Sequence, residues 1–203
     1  MAIVGVLALQ GAFIEHVHKL RALGVEAREV RLPADLEGLD ALIIPGGEST
    51  AIGKLIDRFA LREPILRLAA AGKPIWGTCA GMILLAKDVD PDTRARDQPL
   101  LALMDVVVRR NAFGSQLDSF ETTLDIPALS DDPLPVVFIR APVVSSIGPE
   151  VEVLARLPDG RPVAIRQGNL IATAFHPELT GDTRFHAWFV SLAQARREVA
   201  AAR

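Results

Sequence analysis

The sequence predicts an α/β fold: a single three-layer domain with a mainly parallel central sheet and antiparallel edge strands. Three observations carry this. Short apolar runs alternate with helical patterns through the first half of the chain, the βαβα rhythm of a parallel sheet covered on both faces. The second half holds closely spaced strand patterns divided by Pro, Gly and Asp turn signals, which suits antiparallel pairs. With 203 residues, half of them hydrophobic, the chain can bury one sizeable core.

The elements follow in order. Ile3–Leu9 reads as a buried strand, and Ala12–Leu23 as a helix stopped at Gly24. Ala27–Arg31 is a weaker strand. Ala41–Ile44 is a strong one that ends at Pro45-Gly46-Gly47. Helices are expected over Thr50–Phe59 and Glu63–Ala71. Pro74–Gly77 is a short strand running into Thr78-Cys79-Ala80-Gly81, and Gly81–Lys87 reads as helix. Asp88–Gln98 is polar, contains Pro91 and reads as a loop. Strands are expected over Val106–Arg109, Ser119–Ile126, Val136–Arg140, Val151–Leu157, Pro162–Arg166 and Leu170–Phe175, and Asp182–Ala201 as a closing helix. No repeat or interdomain linker interrupts residues 1–203, so they read as one domain.

Composition removes several functions. The formal net charge is −3, and no Lys/Arg cluster marks a nucleic-acid or anionic-membrane surface. A single cysteine allows neither an intramolecular disulfide nor a Cys-rich zinc site, and suits a reducing, cytoplasmic setting. The apolar start MAIVGVLALQGAF has no preceding Lys or Arg and is broken by Gln10, so it reads as a first strand rather than a signal peptide. No apolar run is long enough for a membrane span.

Cys79 is the residue most suited to chemistry. Gly77-Thr78-Cys79-Ala80-Gly81 is the thiol version of the Gly-x-Ser-x-Gly nucleophile elbow, between a predicted strand and helix. Such a turn strains and exposes its nucleophile, and the following helix N-terminus favours a thiolate. His176-Pro177-Glu178 follows the last predicted strand. If the chain stays extended there, residues two apart point the same way, and the carboxylate can orient the imidazole. Pro45-Gly46-Gly47-Glu48-Ser49-Thr50 follows another strand, and its backbone N–H groups can join that of Ala80 in an oxyanion hole. Its blander reading is a strand-to-helix turn capped by Ser49. His16 and His18, two apart on a helix, make a poor metal pair, and His186 reads as packing. Arg110 and Arg140 can each clamp a carboxylate or simply face solvent.

Taken together, LALQGAFIEH, IIPGGEST, GTCAGMILLA, RRNAFGSQLDSFE, VVFIRAP and TAFHPELTGDTRFH resemble the glutaminase subunits of pyridoxal 5′-phosphate synthase. GTCAG and HPE alone indicate only the broader class I glutamine amidotransferases. The resemblance implies Cys79 as nucleophile, His176 as general base and acid, and Glu178 as its orienter. It implies glutamine binding by Gly47, Glu48, Ser49, Arg110, Ile139 and Arg140, an oxyanion hole at Gly47 and Ala80, and Gln10 near the partner contact. It also implies no cofactor of its own and docking on a separate synthase subunit that receives the ammonia. The Gly46-Gly47 loop is expected to rest with a carbonyl toward the oxyanion position until the partner docks. A glutaminase serving imidazole glycerol phosphate synthesis, a free-standing cysteine hydrolase and a non-catalytic scaffold of this fold remain as alternatives.

Overall fold

The computed structural model describes residues 2–94, 96–110 and 119–201, with the side chains of 200 and 201 left aside. Residues 111–118, within the motif RNAFGSQLDSFE, therefore lie outside the described residues.

The first half alternates as its periodicity requires. β1 (Ile3–Leu7), α1 (Phe13–Ala22), β2 (Glu26–Val30), β3 (Ala41–Ile44), α2 (Ser49–Arg58), α3 (Arg62–Ala70), β4 (Ile75–Thr78) and α4 (Ala80–Leu85) follow in order. β3 and β4 are buried at every residue because a central parallel strand is covered on both faces. Truncating such a residue, as in Ile43→Ala, is worth about 2–5 kcal/mol of stability. α1 stops where Gly24 takes φ 71°, a left-handed geometry that side chains resist.

The second half adds β5 (Ala86–Val89), α5 (Pro91–Arg94), β6 (Met104–Arg109), β7 (Ser119–Leu124), β8 (Leu134–Ile139), β9 (Val143–Ile147), β10 (Glu152–Arg156), β11 (Pro162–Gln167), β12 (Leu170–Thr173) and α6 (Arg184–Ala201). Three points differ from expectation. The helix after Cys79 ends at Leu85, not Lys87, because Leu101 and Leu103 donate their N–H groups to the carbonyls of Leu84 and Leu85. The freed chain becomes β5, and the expected loop Asp88–Gln98 holds the end of β5 and α5. β9 was not expected. Its serines break the apolar pattern, and it exists by antiparallel pairing with β6.

The main sheet runs β10-β11-β12-β4-β3-β1-β2. β12, β4, β3, β1 and β2 pair in parallel, while β10 and β11 are the antiparallel edge. The other strands form separate sheets, β5-β6-β9 and β7-β8. From β1 the chain goes outward to β2, then returns to β3 and continues to β4. Right-handed crossovers therefore put α1 and α2 on opposite faces and open a crevice at the carboxyl ends of β1 and β3. No helix among the described residues is long and apolar enough to cross a membrane.

Candidate active site

The loops that leave β1, β3, β4 and β12 meet at that crevice. Together with the end of β8 they line a cleft of about 350 Å³. Gln10 and Ala12 come from the β1 loop, Gly46, Gly47 and Glu48 from the β3 loop, and Cys79 from the end of β4. His176, Leu179, Ile139, Arg140 and Arg110 complete the wall.

Cys79 sits at φ 48°, ψ −100°, a backbone conformation that a non-glycine residue adopts only when its surroundings force it. The flanking glycines explain the forcing. A Cβ on Gly77 would stand 2.5 Å from the Gly81 carbonyl, and one on Gly81 would stand 2.2 Å from the Ile44 oxygen. Only glycines let β4, α4 and β3 converge this closely. Cys79 N–H is held by the Thr173 carbonyl at 2.8 Å. The thiol is less exposed than an elbow suggests, with Cys79 at 9% exposure, because β8 reaches over it. The Ile139 carbonyl lies 3.9 Å from Sγ.

His176 is fixed from two sides. Its N–H donates to the Val137 carbonyl of β8 at 2.8 Å, and its Nδ1 lies 2.7 Å from Glu178 Oε1. The two side chains meet, but not by strand alternation. Pro177–Leu179 is a 3-10 turn, for which proline's fixed φ is suited, and the turn folds the carboxylate back onto the ring. With Nδ1–H donated to Glu178, the other ring nitrogen is left for Cys79. Burial disfavours the imidazolium, but the interaction with Cys79 and the hydrogen bond to Glu178, with their negative charge, outweigh it. The His176 pKa is raised to about 10.

The β3 loop departs from its expected resting state. The Gly46 carbonyl accepts from Ala12 N–H at 3.0 Å, so it is engaged by the start of α1. In a trans peptide the following N–H, that of Gly47, points the opposite way, away from Ala12. Gln10 Oε1 accepts from Glu48 N–H at 2.8 Å, so Gln10 holds this loop directly. Ala80 opens α4, where the first N–H groups have no partner within the helix.

Glu48, not Ser49, caps α2. Its carboxylate accepts from Thr50 N–H at 3.1 Å and Ala51 N–H at 2.6 Å. It also meets Arg110 at 2.6 Å. Burial opposes its charge, yet the backbone donors and Arg110 bring its pKa below the usual carboxylate value. Ser49 is buried and donates its hydroxyl to Gln98 Oε1 at 2.6 Å, so its side chain faces away from the cleft. Arg140 is exposed at the cleft wall at φ 43°.

Three residues near the site were not assigned to it from sequence. Gln98 anchors Ser49. His16 is fully buried beside Glu178, and His186 lies behind it. The signal for His16 was available: it shares the apolar face of α1 with Val17 and Leu20, where an unpartnered imidazole is costly.

An elbow cysteine beside a carboxylate-held imidazole is the layout of a cysteine-nucleophile amidohydrolase. Comparison with known proteins narrows the class. The SNO glutamine amidotransferase family matches residues 6–195. A pyridoxal 5′-phosphate synthase subunit PdxT of Herpetosiphon aurantiacus is 62% identical over 189 residues, 93% of this chain and 99% of that protein. One from Dehalococcoides mccartyi is 57% identical over 191 residues, 94% of this chain and 97% of that protein. A solved glutamine amidotransferase superposes with a TM-score of 0.88 at 48% identity, covering 95% of this chain and all of the other. The chain belongs to the SNO glutamine amidotransferase family.

Proposed function

We propose that this chain, acting as one domain, is the glutaminase subunit of a pyridoxal 5′-phosphate synthase. It hydrolyses L-glutamine to L-glutamate and passes the ammonia to a separate synthase subunit for vitamin B6 formation. The observation that carries the chemistry is the convergence of Cys79, the His176–Glu178 pair and the Gly46-Gly47 loop on one cleft. The names of the relatives support the partner.

In the first half-reaction the Cys79 thiolate attacks the side-chain amide carbon of glutamine. The N–H groups of Gly47 and Ala80 receive the oxyanion. His176, held protonated as described, gives its proton to the departing nitrogen, and ammonia leaves a γ-glutamyl thioester. Neutral His176 then takes a proton from water, the hydroxide adds to the thioester carbon, and the thiolate departs to leave glutamate. Glu178 keeps Nδ1–H fixed, so the same ring nitrogen serves as acid and then as base.

Gly47, Glu48, Ser49, Arg110, Ile139 and Arg140 are assigned to glutamine. Ser49 can contribute only through its backbone, since its hydroxyl is committed to Gln98. Arg110 is committed to Glu48, which leaves Arg140 as the cation better able to take the substrate's α-carboxylate. Gln10 links the partner-facing β1 loop to the oxyanion loop. The chain works in the cytoplasm and carries no cofactor, the pyridoxal phosphate being its partner's product.

The test is glutamate release with and without saturating synthase subunit, for the native chain and for Cys79→Ala. Release by Cys79→Ala beside the partner would overturn the assignment.

A further inference from the structure

A buried polar chain continues behind the catalytic pair. Glu178 has no exposed side-chain surface. Its Oε1 binds His176, but its Oε2 is buried with no hydrogen-bond partner within ordinary reach among the described residues. Among the described residues, His16 Nε2 faces it at 3.5 Å and can supply a proton. The same nitrogen lies 3.3 Å from Thr78 Oγ1, while His16 Nδ1 lies 2.9 Å from His186 Nε2. Both imidazoles are fully buried, packed against the Trp76 ring.

Between His16 Nδ1 and His186 Nε2 one nitrogen must donate and the other accept. If His16 donates, its Nε2 turns a lone pair toward the carboxylate. His186 then carries its proton on Nδ1, a buried atom with no partner among the described residues. That arrangement strands a donor and leaves an anion facing a lone pair. If His186 donates instead, His16 carries its proton on Nε2, aimed at Glu178 Oε2 and Thr78 Oγ1. Only one neutral acceptor, His186 Nδ1, is then unmet, and an unmet acceptor is the more tolerable defect. Burial, then repulsion by His186 and His176, keeps His16 neutral. Burial, then the nearby charge of Lys19, does the same for His186.

We infer that His16 is a positioning residue for the glutaminase reaction: supported by His186, it donates Nε2–H to the second oxygen of Glu178 and fixes the carboxylate that orients His176. The inference rests on the Cys79–His176–Glu178 reading given above. It accounts for a charged carboxylate buried out of water with one oxygen otherwise bare. It also explains two histidines in the core where leucines would pack more cheaply. Neither histidine lines the cleft, so neither acts on glutamine directly.

The test compares His16→Leu, His16→Gln and His186→Leu in complex with the synthase subunit. Leucine keeps the bulk and removes the donor, whereas the glutamine amide can return an N–H near the Nε2 position. His16→Leu should lower kcat roughly 10- to 150-fold, the scale of one hydrogen bond to a charged group, with KM for glutamine little changed. His16→Gln should recover most of that loss. By NMR, the His176 titration midpoint should fall in His16→Leu and return toward native in His16→Gln. If His16→Leu does not fold, His186→Leu, which releases the His16 tautomer, should show the same kcat loss and midpoint fall. Native kcat in a folded leucine variant, or equal kcat losses in the leucine and glutamine variants with His176 titrating as in the native chain, would overturn the inference. Cys79→Ala separates the two levels. Its inactivity together with a native His16→Leu rate would sink only the role of His16, whereas its activity would sink the underlying reading.

Discussion

Glu178 grips His176 through a single oxygen, Oε1 to Nδ1 at 2.7 Å, and it does so across a 3-10 turn started by Pro177. The contact joins residues only two apart, so the turn sets the imidazole's tautomer locally. The position of the ring in the cleft it shares with Cys79 is set from far away in sequence, by the Val137 carbonyl that holds His176 N–H.

The elbow gives a prediction about stability as well as rate. Cys79→Ala should abolish glutamate release, yet keep the strained φ of 48°. Cys79→Gly should be equally inactive but relieve strain of about 1–3 kcal/mol. The extra freedom of glycine in the unfolded chain takes back about 0.5–1 kcal/mol. Thermal melts should therefore put Cys79→Gly above Cys79→Ala, by about 2–4 °C for each net kcal/mol. An alanine variant that melts higher than the glycine variant would show that the elbow stores no strain.

His176 should titrate near 10, and Cys79→Ala should bring that midpoint down by removing the Cys79 contribution. NMR of histidine-labelled protein reads both. A raised pKa means the folded state holds its proton more tightly than the unfolded one. The stabilisation from His176 is thus complete below about 6.5 and is lost as pH rises through about 10. His186, lowered to about 3, has the opposite sign: it stabilises above about 6.5 and that contribution fades as pH falls toward 3. His176→Ala should reduce the rate by about 10²–10⁴. Its loss should not add to that of Cys79→Ala, because the two act as a unit.

Arg140→Ala should raise KM for glutamine about 10- to 150-fold, the scale of one charge-assisted hydrogen bond. Its kcat should hardly change. Arg110→Ala should do more than raise KM, since it also frees Glu48, the cap of α2. Steady-state kinetics of both variants decide this, and an unchanged KM in Arg140→Ala would leave that arginine a surface charge.

Docking on the synthase subunit should speed glutamate release, and one oxyanion donor gained on docking is worth about 10²–10³ in rate. In the structure the Gly46 carbonyl is tied to Ala12 N–H, and Gln10 grips Glu48 N–H. A resting state with the carbonyl turned inward must break the first of these bonds. Gln10→Ala should accordingly weaken the stimulation more than the basal rate. Equal rates with and without the partner would make the enzyme constitutive and the bonded loop its only state.

Much of this site was legible in the sequence because its signals are local. Gly77 and Gly81 around Cys79, paired glycines after β3, and His-Pro-Glu after β12 each mark a backbone event within a few residues. The β9 strand and the early end of α4 were not legible, since each depends on hydrogen bonds from a distant segment: β6 for the first, Leu101 and Leu103 for the second. The expected extension through Pro177 failed for a related reason. His176 and Glu178 two apart fit a strand or a tight turn equally well, and sequence spacing alone does not choose.

The sequence by itself determined the parallel α/β order, the strained cysteine turn and the residues proposed for the chemistry, because strand and helix periods and glycine requirements are properties of short segments. Only the tertiary structure decided which of those residues meet. It capped α2 with Glu48 rather than Ser49, gave Arg110 to Glu48, and aligned His186, His16 and Glu178 behind His176. Those pairings join residues up to 170 positions apart. They form because a buried polar group without a partner is costly and most find one in the space that packing leaves, a condition that no segment meets alone.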